Sequence, residues 1–99
     1  MSRFVISLDA SGDLNDIVEY YKTYSLDAGD RFVAAFNQKC LHLTQFPNIG
    51  KRYPALHPTM RGIVFERYIL FYEPIADGIV IARVVSGNRN LTNLFSTSE

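Results

Sequence analysis

The 99-residue sequence has few of the features that mark secreted, membrane-spanning or disulfide-linked proteins. Its single cysteine, Cys40, excludes a disulfide within the chain, and its place among apolar residues of a helical pattern predicts a small buried side chain. No apolar run approaches the roughly 20 residues that cross a bilayer, and no signal-peptide pattern opens the chain. We therefore expect a cytoplasmic protein with no membrane partner.

An excess of charge of one sign is also missing, because ten Lys and Arg residues balance ten Asp and Glu residues. Residues 1–50 hold four basic and six acidic side chains, whereas residues 51–99 hold six basic and four acidic ones. This asymmetry is too weak for nucleic-acid binding driven by charge alone. Direct nucleic-acid binding is therefore not expected, although a small basic site in the second half is.

Ligand-spacing patterns for metals and phosphate groups are absent from the sequence as well. His42 and His57 lie fifteen residues apart, and no grouping of His, Cys and carboxylates has the spacing of a metal site. Four glycines are isolated turn or bulge residues rather than a phosphate-binding loop: Gly50, Gly62, Gly78 and Gly87. We predict no metal, no cofactor and no catalytic residue.

Two helical patterns are present in the first half, after a short β-branched and aromatic run at residues 3–8 that predicts a strand. The first helix is expected to begin at a cap, Asp9 or Ser11, and its apolar positions recur at helical spacing. These positions are Leu14, Ile17, Val18, Tyr21 and Tyr24. A second helix is expected from Ser25 or Asp27 to about Gln45. Its apolar stripe consists of Phe32, Val33, Phe36, Cys40 and Leu43.

The second half contains a loop and three strand patterns. Residues 46–58 hold three prolines and a glycine, which predicts a loop. Three apolar runs follow, and the "IADG" stretch between the last two predicts a hairpin. The predicted order is β-α-α-β-β-β in one domain over residues 1–99. We expect an α+β fold with an antiparallel sheet and a helical hairpin packed on one face.

Four arginines, Arg61, Arg67, Arg83 and Arg89, lie in the predicted three-stranded unit or just after it. Arg83 has the same strand parity as three aliphatic residues, and an arginine among such neighbours needs a carboxylate or several carbonyl groups. The three are Ile79, Ile81 and Val85. An internal ion pair and a functional site both remain open for Arg83. Arg89 follows the Gly87 break, where a side chain is free to meet something outside the domain.

A row of carboxylates on the first helix, formed by Asp13, Asp16 and Glu19, also has two interpretations. Their spacing predicts a solvated outer face of the helix. Alternatively, Asp13 or Asp16 reaches across to an arginine of the sheet.

The order and spacing of four segments resemble the ParE/RelE superfamily of toxins from type II toxin–antitoxin systems. The segments are "DLNDIVEYY", "FVAAFNQKCLHLTQFPNIGKRYP", "MRGIVFERYILFYEP" and "GIVIARVVSGNRNL", and the similarity covers residues 3–94. The most specific features are the Pro-x-x-Gly loop, the "ILFYE" strand and the ending "RV…G-x-R-x-L". The resemblance implies the same β-α-α-β-β-β fold.

One branch of this superfamily, the RelE-like toxins, cuts messenger RNA on the ribosome. The resemblance matches Arg89 to a phosphate-binding arginine of that branch, and Arg67 is a second possible phosphate contact. Phe95 stands where the RelE-like tyrosine is expected, and Ile69 stands where an arginine is expected. Val64 and Phe65 replace two lysines. Because phosphodiester cleavage needs proton-transfer groups, these replacements argue against a nuclease.

The other branch, the ParE-like toxins, is more similar to this chain and implies inhibition of DNA gyrase by binding. An acid commonly follows the ending arginine in that branch, and Asn90 stands there in this chain. We expect a functional basic cluster of Arg61, Arg83 and Arg89. The alternatives are a RelE-like ribosome-dependent endoribonuclease and an inactive scaffold that only binds an antitoxin.

The resemblance also implies a partner, a cognate antitoxin that places a helix in a groove and adds a strand to a sheet edge. Aromatic side chains are suited to such a surface. The candidates are Tyr20, Tyr24, Tyr53 and Tyr68.

Overall fold

A computed structural model describes residues 3–87, which form a five-stranded sheet with two helices. The elements are β1 (Arg3–Ile6), α1 (Leu8–Lys22), α2 (Leu26–Gln45), β2 (Lys51–Arg52), β3 (Arg61–Phe65), β4 (Tyr68–Ile75) and β5 (Gly78–Ser86). The strand order in the sheet is β1-β5-β4-β3-β2. The α+β class and the predicted order of the main elements are confirmed, with the two-residue strand β2 added inside the predicted loop.

The sheet is mixed rather than entirely antiparallel, because β1 pairs with β5 in the parallel direction. Strands β3, β4 and β5 form an antiparallel meander in which one edge of β5 is not paired with β4. Strand β1 pairs with that edge of β5, and the two helices lie in the connection between β1 and the meander. Close approach of the two backbones requires Gly78. A Cβ atom there would lie 1.7 Å from the carbonyl oxygen of Arg3.

Serine side chains cap both helices. The Oγ of Ser7 accepts a hydrogen bond from the backbone N–H of Ala10 at 3.1 Å, so α1 begins at Leu8. The expectation that Asp9 or Ser11 caps this helix was therefore wrong, because β1 ends early enough for Ser7 to take that position. Ser25 caps α2 through the N–H of Ala28 at 3.0 Å, as one of the two predicted caps.

The main core lies between the helical hairpin and one face of the sheet. Its fully buried members include Cys40, Leu43, Leu70, Tyr72, Ile79 and Ile81. Two predicted stripe residues lie outside it: Val33 is 49% exposed, and Tyr24 is 70% exposed because α1 ends before it. Burial raises the pKa of the Cys40 thiol to about 12, as expected for a thiol held in apolar surroundings.

A second, smaller cluster covers the opposite face of the sheet. Residues of the 46–58 loop and its continuation pack there against the sheet: Tyr53, Leu56 and Met60 contact the cluster that contains Phe71 and Val85.

In the part of the chain that the structure describes, no helix is long and apolar enough to cross a membrane.

Candidate functional site

An ion pair between α1 and β5 joins the helical hairpin to the sheet. Asp13 accepts hydrogen bonds from Arg83 at both carboxylate oxygens, from Nε to Oδ2 at 2.8 Å and from Nη2 to Oδ1 at 3.0 Å. The Oδ2 atom also accepts the backbone N–H of Val84 at 2.9 Å. Both side chains are largely buried, with exposures of 22% for Arg83 and 16% for Asp13. The hydrogen bonds that Arg83 donates to the Asp13 carboxylate raise the pKa of Arg83.

A β-bulge in β5 produces this geometry. Phe71 pairs with Arg83 and Tyr72 pairs with Ile81, so Ala82 is an extra residue in the strand. An extra residue reverses the alternation of faces beyond it. Val84 therefore packs into the main core while Val85 packs on the opposite face, which corrects the expectation that Val85 shares a face with Ile79 and Ile81.

Of the two interpretations of Arg83, the structure shows the internal ion pair, and its carboxylate is Asp13. Asp16 and Glu19 remain on the exposed face of α1, where Glu19 lies 3.5 Å from Lys22 Nζ. The sequence indicated Asp13 as one possible partner of Arg83. The hydrogen bond from the Val84 N–H to Asp13 depends on the bulge, which no sequence pattern indicated.

Arg61 stabilises the start of the loop that follows α2 through hydrogen bonds to two backbone carbonyl groups. Its Nη1 atom donates to the carbonyl oxygens of Asn48 at 3.0 Å and Gly50 at 2.8 Å. Nearby, the Tyr72 hydroxyl accepts the Gly50 N–H at 2.9 Å and donates to the Pro47 carbonyl at 2.8 Å. Burial raises the pKa of this hydroxyl.

The structure does not bring the predicted basic cluster together over residues 3–87. Arg61 binds loop carbonyl groups and Arg83 binds Asp13, and the two arginines line different cavities. Arg89, Asn90 and Phe95 lie outside the described residues.

The predicted aromatic surface divides between two regions. Tyr20 and Tyr24 are exposed at the end of the first helix, with their hydroxyl oxygens 3.0 Å apart, and this contact raises the pKa of Tyr24. A groove of about 700 Å³ is lined by Tyr20, Arg67, Tyr68 and Ser86, and burial raises the pKa of Tyr68 to about 12. Tyr53 instead packs against Phe71 on the other face, so it does not share this surface.

The sheet positions that replace RelE-like basic residues have distinct environments. Phe65 is buried against Phe32 and Phe36 of α2. Ile69 packs against the cluster under the loop, and Val64 is 72% exposed on β3. Among residues 3–87, no group of three or more His, Cys, Asp or Glu side chains could hold a metal ion.

A second polar cluster, missed by sequence reasoning, joins the loop to β4. His57 Nδ1 lies 2.9 Å from Glu73 Oε1, and the Thr59 hydroxyl donates to the same oxygen. His57 and Thr59 are close in sequence, but Glu73 lies 14 residues after Thr59, so no local pattern could have indicated their contact with its carboxylate.

Comparison with known proteins places this architecture in a family. A family model described as the ParE toxin of the type II toxin–antitoxin system parDE matches residues 4–91. No curated relative matches the sequence. Among solved structures, a chain of the chromosomal ParDE TA system from P. aeruginosa is similar with a TM-score of 0.71 and 20% identity, over 87% of this chain and 96% of that chain. The structural likeness shows a shared fold, and the family match shows that the chain belongs to the ParE toxin family of type II toxin–antitoxin systems.

Proposed function

We propose that this protein is a toxin that inhibits DNA gyrase in the cytoplasm by binding to it, and that a cognate antitoxin neutralises it. Membership of the ParE family supports the toxin role and the existence of an antitoxin partner. The choice of binding over RNA cleavage depends on the residues of the sheet.

The observation that carries this choice is the apolar character of the sheet where RelE-like toxins have basic residues. Phe65 belongs to the core, and Ile69 packs beside Phe71 on the face that the loop covers. RNA cleavage requires a base for the 2′-hydroxyl, a cation near the phosphate and an acid for the leaving oxygen. Apolar side chains at these positions supply none of those functions, so this sheet is better suited to recognition.

The antitoxin is proposed to bind at the tyrosine-lined groove beside α1. Tyr20 and Tyr24 are exposed with their hydroxyl groups in contact, and the groove lining includes Tyr68, which is largely buried, and Arg67, which adds a positive charge. Aromatic side chains beside an arginine are frequent anchors of protein interfaces. We expect an amphipathic helix with an acidic residue near Arg67 to fit this groove.

The proposed basic cluster has a divided role. Arg61 and Arg83 position the loop and the last strand through their hydrogen bonds, and Arg89 is proposed as the arginine that contacts the target. Replacing Arg89 by alanine is therefore expected to abolish toxicity without lowering the free energy of unfolding.

Pulse labelling after induction of the chain alone tests the proposal. New DNA and new protein are followed in parallel in a bacterial culture that expresses the unaltered chain. A second culture that expresses the Arg89→Ala variant is the matched control. We expect DNA synthesis to fail first in the culture with the unaltered chain. Protein synthesis failing first would overturn the gyrase proposal in favour of ribosome-dependent RNA cleavage. Accumulation of folded protein with neither process affected would favour the inactive antitoxin-binding scaffold.

A further inference from the structure

Two arginines lie opposite each other on neighbouring strands of the sheet. Arg52 of β2 is the register partner of Arg61 of β3. Residues directly opposite each other in an antiparallel pair project from the same face, with Cβ atoms about 4.5–5.5 Å apart. Both arginines line one cavity of about 240 Å³. The pairing of β2 with β3 therefore brings two positive charges to one place.

No carboxylate in the described part of the chain neutralises this arginine pair. Neither arginine forms an ion pair among residues 3–87. The carboxylate of Glu73 accepts a hydrogen bond from Thr59 at the cavity wall, but it lies 2.9 Å from His57 Nδ1 and does not line the cavity. Like charges directly opposite each other destabilise a sheet. A local arrangement that costs stability is typical of a functional site.

Arg61 is held in place with one edge of its guanidinium group free. Its Nη1 atom donates to the carbonyl oxygens of Asn48 at 3.0 Å and Gly50 at 2.8 Å, which restricts the orientation of the group. The Nε and Nη2 atoms have no hydrogen-bond partner among residues 3–87. Two neighbouring N–H groups of this kind bind two oxygens of an anion in parallel.

The remaining lining of the cavity adds donors and no negative charge. Arg52 is exposed, and its side chain makes no hydrogen bond within the part of the chain that the structure describes. Asn48 and Thr59 carry an amide and a hydroxyl group that can donate hydrogen bonds. Pro58 and Pro74 complete the lining and are uncharged. The cavity is therefore suited to an anion.

We propose that the cavity between Arg52 and Arg61 binds a phosphate group of a small molecule. The Nε and Nη2 atoms of Arg61 donate to two phosphate oxygens, and the guanidinium group of Arg52 donates to a third. A phosphate monoester carries a charge of about −1.5 to −2 at pH 7, which two arginines balance. A carboxylate carries a single charge, for which one arginine is sufficient.

Size and charge favour a small molecule over a nucleic acid as the source of the phosphate. The cavity, of about 240 Å³, is smaller than the roughly 300–1,000 Å³ of sites that enclose a drug-sized ligand. It therefore takes the phosphate group and leaves the rest of the molecule outside. The chain has no net charge, whereas binding to a nucleic-acid backbone draws on many basic side chains. The proposal is independent of gyrase being the target of the toxin.

Titration of the full chain with pyrophosphate tests the proposal. Side-chain Nε–H resonances of the arginines are followed by NMR at constant ionic strength in a buffer free of phosphate and of divalent metal ions. Citrate is the comparison anion, because it carries its negative charge on carboxylates. We expect pyrophosphate to shift the Arg52 and Arg61 resonances saturably, and to bind about tenfold more tightly than citrate.

Two variants with the same change in charge sharpen the test. Arg52→Gln removes donors from the cavity without breaking a hydrogen bond of the described chain, and should weaken pyrophosphate binding by about tenfold. Arg31→Gln removes a charge from an exposed part of α2 outside the cavity, and should bind pyrophosphate as the unaltered chain does. Thermal melting of both variants confirms that they are folded.

Four results would overturn the proposal. Pyrophosphate could fail to give a saturable shift of the two arginine resonances, or citrate could bind as tightly. Equal weakening by Arg31→Gln and Arg52→Gln would reduce the effect to overall charge. A short DNA duplex is titrated in parallel, and a saturable shift of the same resonances by the duplex but not by pyrophosphate would assign the cavity to a nucleic-acid backbone.

Discussion

The two edges of the sheet are built differently. At the β1 edge, the backbone of Arg3 lies against Gly78, the Ser7 N–H bonds the Ile81 carbonyl at 3.0 Å, and Asp13 accepts the Val84 N–H just beyond the end of β1. At the β3 edge, β2 covers two residues and leaves the next three without a neighbouring strand in the described chain. One edge is held by specific contacts, while the other has a neighbouring strand, among the described residues, over only two of its five positions.

This difference separates an edge whose contacts stabilise the fold from an edge that contributes little to stability. Contacts at the β1 edge connect elements distant in sequence, such as α1 and β5, so their loss should destabilise the whole fold. Val64 at the other edge makes few contacts within the chain, so changes there should leave stability intact. Four substitutions test this division, in order of decreasing effect on the free energy of unfolding.

The largest effect is expected from Gly78→Ala. The new Cβ atom would collide with the backbone oxygen of Arg3, so β1 must move away from β5. We expect a loss of about 3 kcal/mol or more in the free energy of unfolding, measured by urea denaturation. Gly12→Ala is the matched control, because a Cβ there meets nothing within 4 Å and an alanine in a helix should stabilise by about 0.5–1 kcal/mol. Equal stability of Gly78→Ala and the unaltered chain would contradict the close approach of β1.

A smaller but substantial loss in the free energy of unfolding is expected from Asp13→Ala. The change leaves the Arg83 guanidinium without its carboxylate and the Val84 N–H without its acceptor, at a cost of about 2–3 kcal/mol. The control Asp16→Ala, on the exposed face of the same helix, should change stability by less than about 0.5 kcal/mol. Similar losses for both variants in chemical denaturation would show that the ion pair has no special role.

Removal of the α1 cap by Ser7→Ala should cost about 1 kcal/mol, because the Ala10 N–H loses its acceptor. Ser11 was the alternative cap in the sequence pattern, and Ser11→Ala should be neutral or slightly stabilising because that residue lies inside the helix. Thermal melts of the two variants compare these serines directly. A larger loss for Ser11→Ala would place the start of the helix later.

The smallest effect is expected at the open edge. Val64→Thr keeps the β-branched shape of an exposed side chain and should change stability by less than about 0.5 kcal/mol. Its neighbour Ile63 packs against the main core, so Ile63→Thr should cost about 1–2 kcal/mol. Equal losses in urea denaturation would mean that Val64 contributes to the core and that the two edges do not differ as described.

Much of the fold could be predicted from the sequence, because helical and strand periodicity are local signals. The two helices, the three long strands and the hairpin before Gly78 were found in this way. The parallel pairing of β1 and the bulge at Ala82 were not, since both depend on how distant segments meet. The bulge also explains why strand alternation wrongly predicted that Val85 shares a face with Ile79 and Ile81.

The site was less predictable than the fold. The sequence indicated that Arg83 needs a carboxylate and included Asp13 among its possible partners, but could not choose between an ion pair and a functional site. Arg61 showed no pattern that pointed to the carbonyl groups of Asn48 and Gly50, because backbone acceptors have no sequence signature. The open edge of β3 is defined by the missing length of β2, which only the strand register reveals.

The proposed function is tested most directly by a DNA supercoiling assay with purified gyrase and the purified full chain. The account predicts that supercoiling by gyrase falls as the chain is added, that Arg89→Ala has no effect on gyrase, and that ribosomes programmed with messenger RNA leave that RNA intact in the presence of the chain. Unchanged supercoiling at a large excess of folded chain, together with cleavage of the messenger RNA on the ribosome, would contradict it.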